Sequence, residues 1–82
     1  MLAERLSGAD AVERIVSITA CGCRVLGVDG FRVVPEGFEA ALDLILDLST
    51  KPTPRQQAAE EAKKFIVLHA ADDVFFEVVF GN

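Results

Sequence analysis

Two thiols and one imidazole are the residues best suited to chemistry in this chain. Cys21 and Cys23 flank a glycine as C-x-C, and His69 is the sole histidine. Two thiols so close can form a strained redox disulfide or supply two metal ligands. A zinc site takes about four ligands, and only His69 could join the pair. The alternative is that both cysteines act as small buried hydrophobes, and that His69 packs near Ala62, Phe65 and Ile66. Ser7, Ser17 and Ser49 occupy capping or ordinary helical positions, and nothing in the sequence pairs one with His69. The glycines form neither a G-x-x-x-x-G-K-[ST] phosphate loop nor a G-x-G-x-x-G turn. No catalytic, cofactor-binding or metal-ligating set is assigned.

A second candidate is a row of acids. Glu36, Glu39, Asp43 and Asp47 recur at spacings of three, four and four with no basic residue among them. On a helix they occupy an arc of about 80°. The apolar residues Phe38, Ala41, Leu42, Leu44, Ile45, Leu46 and Leu48 cover about 200° of the rest, more than the ~100° stripe one core requires. On that reading the row is the wet side of a helix otherwise covered. The sharper reading is a charged surface for a basic partner, since like charges at i,i+4 cost ~0.2–0.5 kcal/mol per pair. Such a row carries about one charge per 5.5 Å, against one per ~3.4 Å on a DNA strand. It imitates a phosphate track sparsely, and Asp72 and Asp73 would thicken it if the fold brought them near.

Composition narrows the function classes. The chain has 82 residues, 51% of them hydrophobic, with a formal net charge of −5; its mean hydropathy is +0.35 and its pI about 4.6. One small domain is expected over residues 1–82. A domain of this size buries only about 60–65% of the surface its unfolded chain exposes. Its excess of apolar side chains must therefore stand exposed or be covered by another chain. The acidic balance and scattered cations argue against nucleic-acid binding and against anionic membrane surfaces. Neither an h-region nor a membrane-length apolar run is visible, so the expected setting is the reducing cytoplasm, and no cofactor is expected.

These residues must be positioned by a short list of elements. "SGADAVERIVSITACG" reads as a helix capped by Ser7 with Asp10 three residues on, and stopped by Gly22; a strand over Arg14–Ala20 is the rival. Val12, Ile15, Val16 and Thr19 share its expected inner side. "CRVLGVDGFRVVP" reads as a hairpin turning at Asp29-Gly30, followed by a helix from Glu36 to Leu48. Thr53 is the expected N-cap of a further helix, with Pro54 at its first position, Glu60 paired with Lys64 and an end near His69. "VFFEVVF" (Val74–Phe80) is the clearest strand. It scarcely alternates, so it is either central and covered on both faces, or its outer face, with Phe75, Glu77 and Val79, meets another subunit. The expected fold is α+β in the order α-β-β-α-α-β, a three-stranded antiparallel-rich sheet with helices on one face.

In size, acidity and lack of catalytic motifs the chain resembles, in general character, phage and mobile-element accessory proteins such as anti-CRISPR inhibitors; no residue motif carries that likeness. The leading expectation is a non-enzymatic protein–protein interaction module. Its most concrete form is a small acidic inhibitor whose Glu36, Glu39, Asp43, Asp47, Asp72 and Asp73 meet a larger, basic, nucleic-acid-handling protein. The partner could also be the chain itself, as a homodimer. The alternatives are a small enzyme subunit or thiol-redox protein using Cys21, Cys23 or His69 at a subunit interface, and a structural homo-oligomer subunit.

Overall fold

The structure, a computed structural model, describes residues 4–50 and 52–81. The elements run α1 (Gly8–Ala20), β1 (Arg24–Val34), β2 (Gly37–Asp47), α2 (Arg55–His69) and β3 (Val74–Gly81). The strands form one antiparallel sheet in the order β2-β1-β3, so the α+β class holds with one helix fewer than expected.

Helix α1 forms where local signals place it. Ser7 Oγ accepts the Asp10 backbone N–H at 3.2 Å, satisfying one donor of the first turn. Gly22 closes the other end with φ 91°. Its N–H reaches the Thr19 carbonyl, and the Cys23 N–H reaches that of Ile18, the paired bonds of a Schellman stop. Ala11, Ile15, Ile18 and Thr19 are its buried residues. Val16, expected inside, is exposed instead, because Ile18 takes the inward position.

Residues 36–48 do not form a helix. They make the hairpin turn and β2, and the two short strands expected before them are a single strand, β1. The turn is therefore not Asp29-Gly30. Val34 pairs with Gly37, leaving Pro35 and Glu36 as the loop. Both primed turns need positive φ at the first central residue, which Pro35 forbids; Gly37, at φ 131°, takes the left-handed backbone just after the loop. Asp29-Gly30 lies mid-strand at a bulge. Pairing steps from Asp29↔Ile45 to Phe31↔Ala40, so residues 41–44 stand opposite Gly30 alone.

Helix α2 ends at His69 as expected but starts differently. Pro54 is the N-cap and no side chain caps the helix. The expected cap, Thr53, has its carbonyl taken by Arg24 Nε at 2.8 Å, which fixes the chain before the helix. Glu60 pairs with Lys63 at 2.8 Å, one position short of Lys64.

The two helices lie antiparallel on one face of the sheet. Gly8, at the start of α1, lies beside Ile66 and Ala70, while Arg55, at the start of α2, reaches the Gly22 carbonyl. Between helices and sheet lies one core that includes Ile15, Val25, Val28, Leu48, Ile66 and Phe76. Beyond β3 the segment before α1 adds a short bridge: Leu6 and Phe76 exchange backbone hydrogen bonds of 2.7 Å. No described helix is long and apolar enough to cross a membrane.

Candidate functional site

The face of the sheet turned away from the helices is the most distinctive surface of the molecule. Successive strand residues point to opposite sides. In β3, Val74, Phe76 and Val78 are buried against the helices, while Phe75, Glu77 and Val79 point the other way. Their cross-strand partners on this open face are Phe31, Asp29 and Gly27. Across β1 the face continues through Ala40, Phe38, Ile45 and Asp47, with Val33 opposite Phe38. Val33, Phe38, Ile45 and Val79 remain nearly half exposed. Leu42, at the bulge on the neighbouring border, is 82% exposed.

One side chain lies across this face. Arg5 is carried there by the bridge at Leu6, which points Arg5 to the side opposite the core. Its guanidinium carbon sits 4.7 Å from the Phe31 ring centre and 5.0 Å from that of Phe38. Its Nε lies 3.3 Å from Glu77 Oε2. Phe75 meets Phe38 edge-on at 5.4 Å, a favoured aromatic geometry. Toward the other end lies a hollow of about 300 Å³ bordered by Gly27, Asp29, Ile45, Asp47 and Val79. Among the described residues the face thus has an aromatic end, an acidic hollow, and one cation, Arg5, against the three carboxylates Asp29, Asp47 and Glu77.

Phe75, Glu77 and Val79, singled out from sequence, share this face. The acidic row does not stay together. Glu36 sits in the hairpin turn. Glu39 lies opposite Arg32, on the helix side of the sheet, and Asp47 lies opposite Gly27 on the open face. Asp43 is held by a two-pronged pair with Arg32, at 3.0 Å and 2.9 Å. That hydrogen-bonded pair lowers the Asp43 carboxyl to about 2, with its backbone hydrogen bond and the His69 charge acting in the same direction. Asp43, Asp73 and Glu39 all raise the Arg32 pKa, Asp43 most strongly through its hydrogen bond. Asp73 and Glu39 thus lie near the arginine that Asp43 holds, with no line of acids formed. Asp72 is exposed in the turn before β3. Asp47 accepts hydrogen bonds from the Ser49 hydroxyl and backbone N–H, which lower its pKa.

The thiols and the imidazole are not brought together. Cys21 is the exposed C-cap of α1 and Cys23 packs partly into the core; neither is in a disulfide. They lie beside the start of α2, whereas His69 is at the far end of that fifteen-residue helix, ~21 Å away along its axis. The His69 ring leans on Phe65, 4.7 Å centre to centre. Among the described residues no three His, Cys, Asp or Glu side chains cluster as metal ligands.

Arg5, Phe31 and Phe38 were not among the residues that sequence reasoning selected. The available signal was the number of apolar residues, which exceeds what so small a core can enclose. Comparison with protein families, with curated proteins and with solved structures returns no match to this chain.

Proposed function

We propose that this chain is a non-enzymatic protein–protein interaction module that docks the open face of its sheet on a larger protein, most concretely as a small inhibitor or regulator of that protein. The observation that carries this reading is the face turned away from the helices, where Phe31, Val33, Phe38 and Phe75 cluster at one end and Ile45 and Val79 stand beside Asp29 and Glu77 toward the other. Contiguous apolar surface on a small soluble domain marks an interaction site. With three carboxylates and one cation among the described residues of the face, the complementary surface is apolar and studded with lysine or arginine. The basic patches of nucleic-acid-handling proteins supply that chemistry.

Charge also argues against a second copy as the occupant. Two such faces stacked would bring six carboxylates into one interface with two arginines among the described residues, and unpaired like charge in an interface is costly. Size sets the expected strength. Three strands spaced ~4.8 Å apart and rising ~3.3 Å per residue make a face of roughly 14 by 30 Å, about 400 Å². A standard interface buries ~800 Å² per partner, so Leu42 and the β2 border are expected to join the contact.

The test uses Ile45→Lys and Val79→Lys, which alter the open face and leave the core intact. A partner recovered from the native host must lose both variants while their unfolding midpoints stay near that of the parent chain, and its affinity must fall with added salt. A partner that binds both variants as well as the parent overturns the docking face. A parent chain that sediments as a dimer while both variants sediment as monomers overturns the choice of occupant.

A further inference from the structure

We infer that the aromatic end of the open face is an arginine-binding site, which Arg5 occupies in cis and a partner's arginine takes in trans. The inference rests on the docking reading above and names the group that the partner brings. Two features of a guanidinium, its flat face and its N–H groups, are met at once by residues from three strands. Phe31 on β1 and Phe38 on β2 offer ring faces to its plane, at 4.7 and 5.0 Å. Glu77 on β3 offers a carboxylate to its N–H groups, at 3.3 Å. Phe75, edge-on to Phe38, fixes that ring from the side. A lysine ammonium could reach the carboxylate but has no plane to stack, so the site selects arginine between the two cations.

The present occupant is held loosely. The Arg5 side chain stays 44% exposed despite its three contacts, so the guanidinium is gripped from one side only. Exposed cation–π contacts and exposed ion pairs lie at the weak end of their ranges. The backbone anchor is elsewhere: Leu6 is tied to Phe76 by two hydrogen bonds, and Glu4 bonds Arg14 at 3.1 Å. Rotating the Arg5 side chain away therefore breaks none of the hydrogen bonds that hold the segment to β3. It leaves Glu77 and its cross-strand neighbour Asp29 unpaired on the face, ready to receive another guanidinium. Arg5 thus covers the most aromatic part of the surface until a better-placed arginine replaces it.

The test is a titration of the full chain and its Arg5→Ala variant with N-acetyl-arginine amide and, separately, N-acetyl-lysine amide, followed by NMR shifts at Phe31, Phe38 and Glu77. Removing the internal competitor is expected to tighten arginine binding roughly five-fold over the parent chain, the scale of one exposed cation–π contact. The lysine derivative should bind more weakly, and Glu77→Gln in the Arg5→Ala background should abolish the response. If Arg5→Ala fails to fold, Arg5→Lys serves in the same titration; its ammonium still reaches Glu77 but gives up stacking, so arginine binding is expected to tighten over the parent by less than about five-fold. Equal arginine binding by variant and parent, equal response to lysine, or shifts confined to other surfaces would overturn the site. That failure would leave the docking face standing if Ile45→Lys still abolishes partner binding; loss of the docking face would leave the arginine response standing.

Discussion

Leu44 lies across the place where Gly30 would carry a side chain. A methyl group on Gly30 would fall 2.5 Å from the Leu44 Cβ and 2.9 Å from the Leu44 carbonyl oxygen. Glycine is required there by crowding at the bulge, since Gly22 and Gly37 are the glycines with positive φ. Gly30→Ala is expected to destabilise the fold by ~1–3 kcal/mol, the cost of overpacking a closed site. Urea unfolding measures it. A loss under about 0.5 kcal/mol would mean that β2 can step away from β1 at the bulge with little penalty.

The Arg32–Asp43 pair sets an acid limb to stability. Its two hydrogen bonds lower Asp43 from 3.8 to about 2 in the fold. The unfolded chain then binds more protons than the folded one between those values, so stability rises with pH across that window. The contribution is complete above 3.8 and is lost as pH falls through about 2. Asp47 and Glu60, also lowered, act in the same sense. NMR titration of the Asp43 carboxyl should give a midpoint near 2, and Arg32→Gln should return it toward the ordinary carboxylate range. Asp43→Asn should flatten the acid limb of the urea midpoint; an unchanged limb would assign it to the other two carboxylates.

Thr19 is the buried polar residue of the core, 8% exposed, and its hydroxyl has no hydrogen-bond partner among the described residues. An unpaired buried hydroxyl costs ~1–3 kcal/mol. Thr19→Val keeps the branched shape and removes the hydroxyl. It should raise the thermal midpoint by about 4–8 °C, the shift expected for ~1 kcal/mol in a domain of this size. A lower midpoint would show that the hydroxyl is paired through solvent.

Local signals were legible; long-range ones were not. Ser7, Gly22 and the strand Val74–Phe80 act through neighbours a few residues away, and each stands where sequence reasoning put it. Residues 36–48 show why the rest failed. Acids at 39, 43 and 47 are four apart, close to one helical turn and also an even number, so the spacing fits helix and strand alike. The tie is broken by Leu42, Leu44, Leu46 and Leu48, which alternate with Asp43 and Asp47 at a period of two. Asp29-Gly30 looked like a turn because glycine serves two needs that one sequence does not separate: positive φ and close backbone approach. The open face was half legible. Phe75, Glu77 and Val79 follow from alternation within one strand, but Phe31, Phe38 and Arg5 join them only through a register that the bulge sets.

Strand β2 is the outermost ribbon of the sheet, eleven residues long and without proline or lysine, so its outward amide and carbonyl groups form an unclaimed template for another extended chain. What discourages neighbouring copies from zipping onto it is the negative sign of Glu39, Asp43 and Asp47. That guard outlasts the net charge. At the isoelectric point of about 4.6 repulsion between whole molecules fades, while Asp43 and Asp47, held below the ordinary carboxylate range, still carry their charge. Fibrous precipitation from the border strand should therefore begin only in stronger acid.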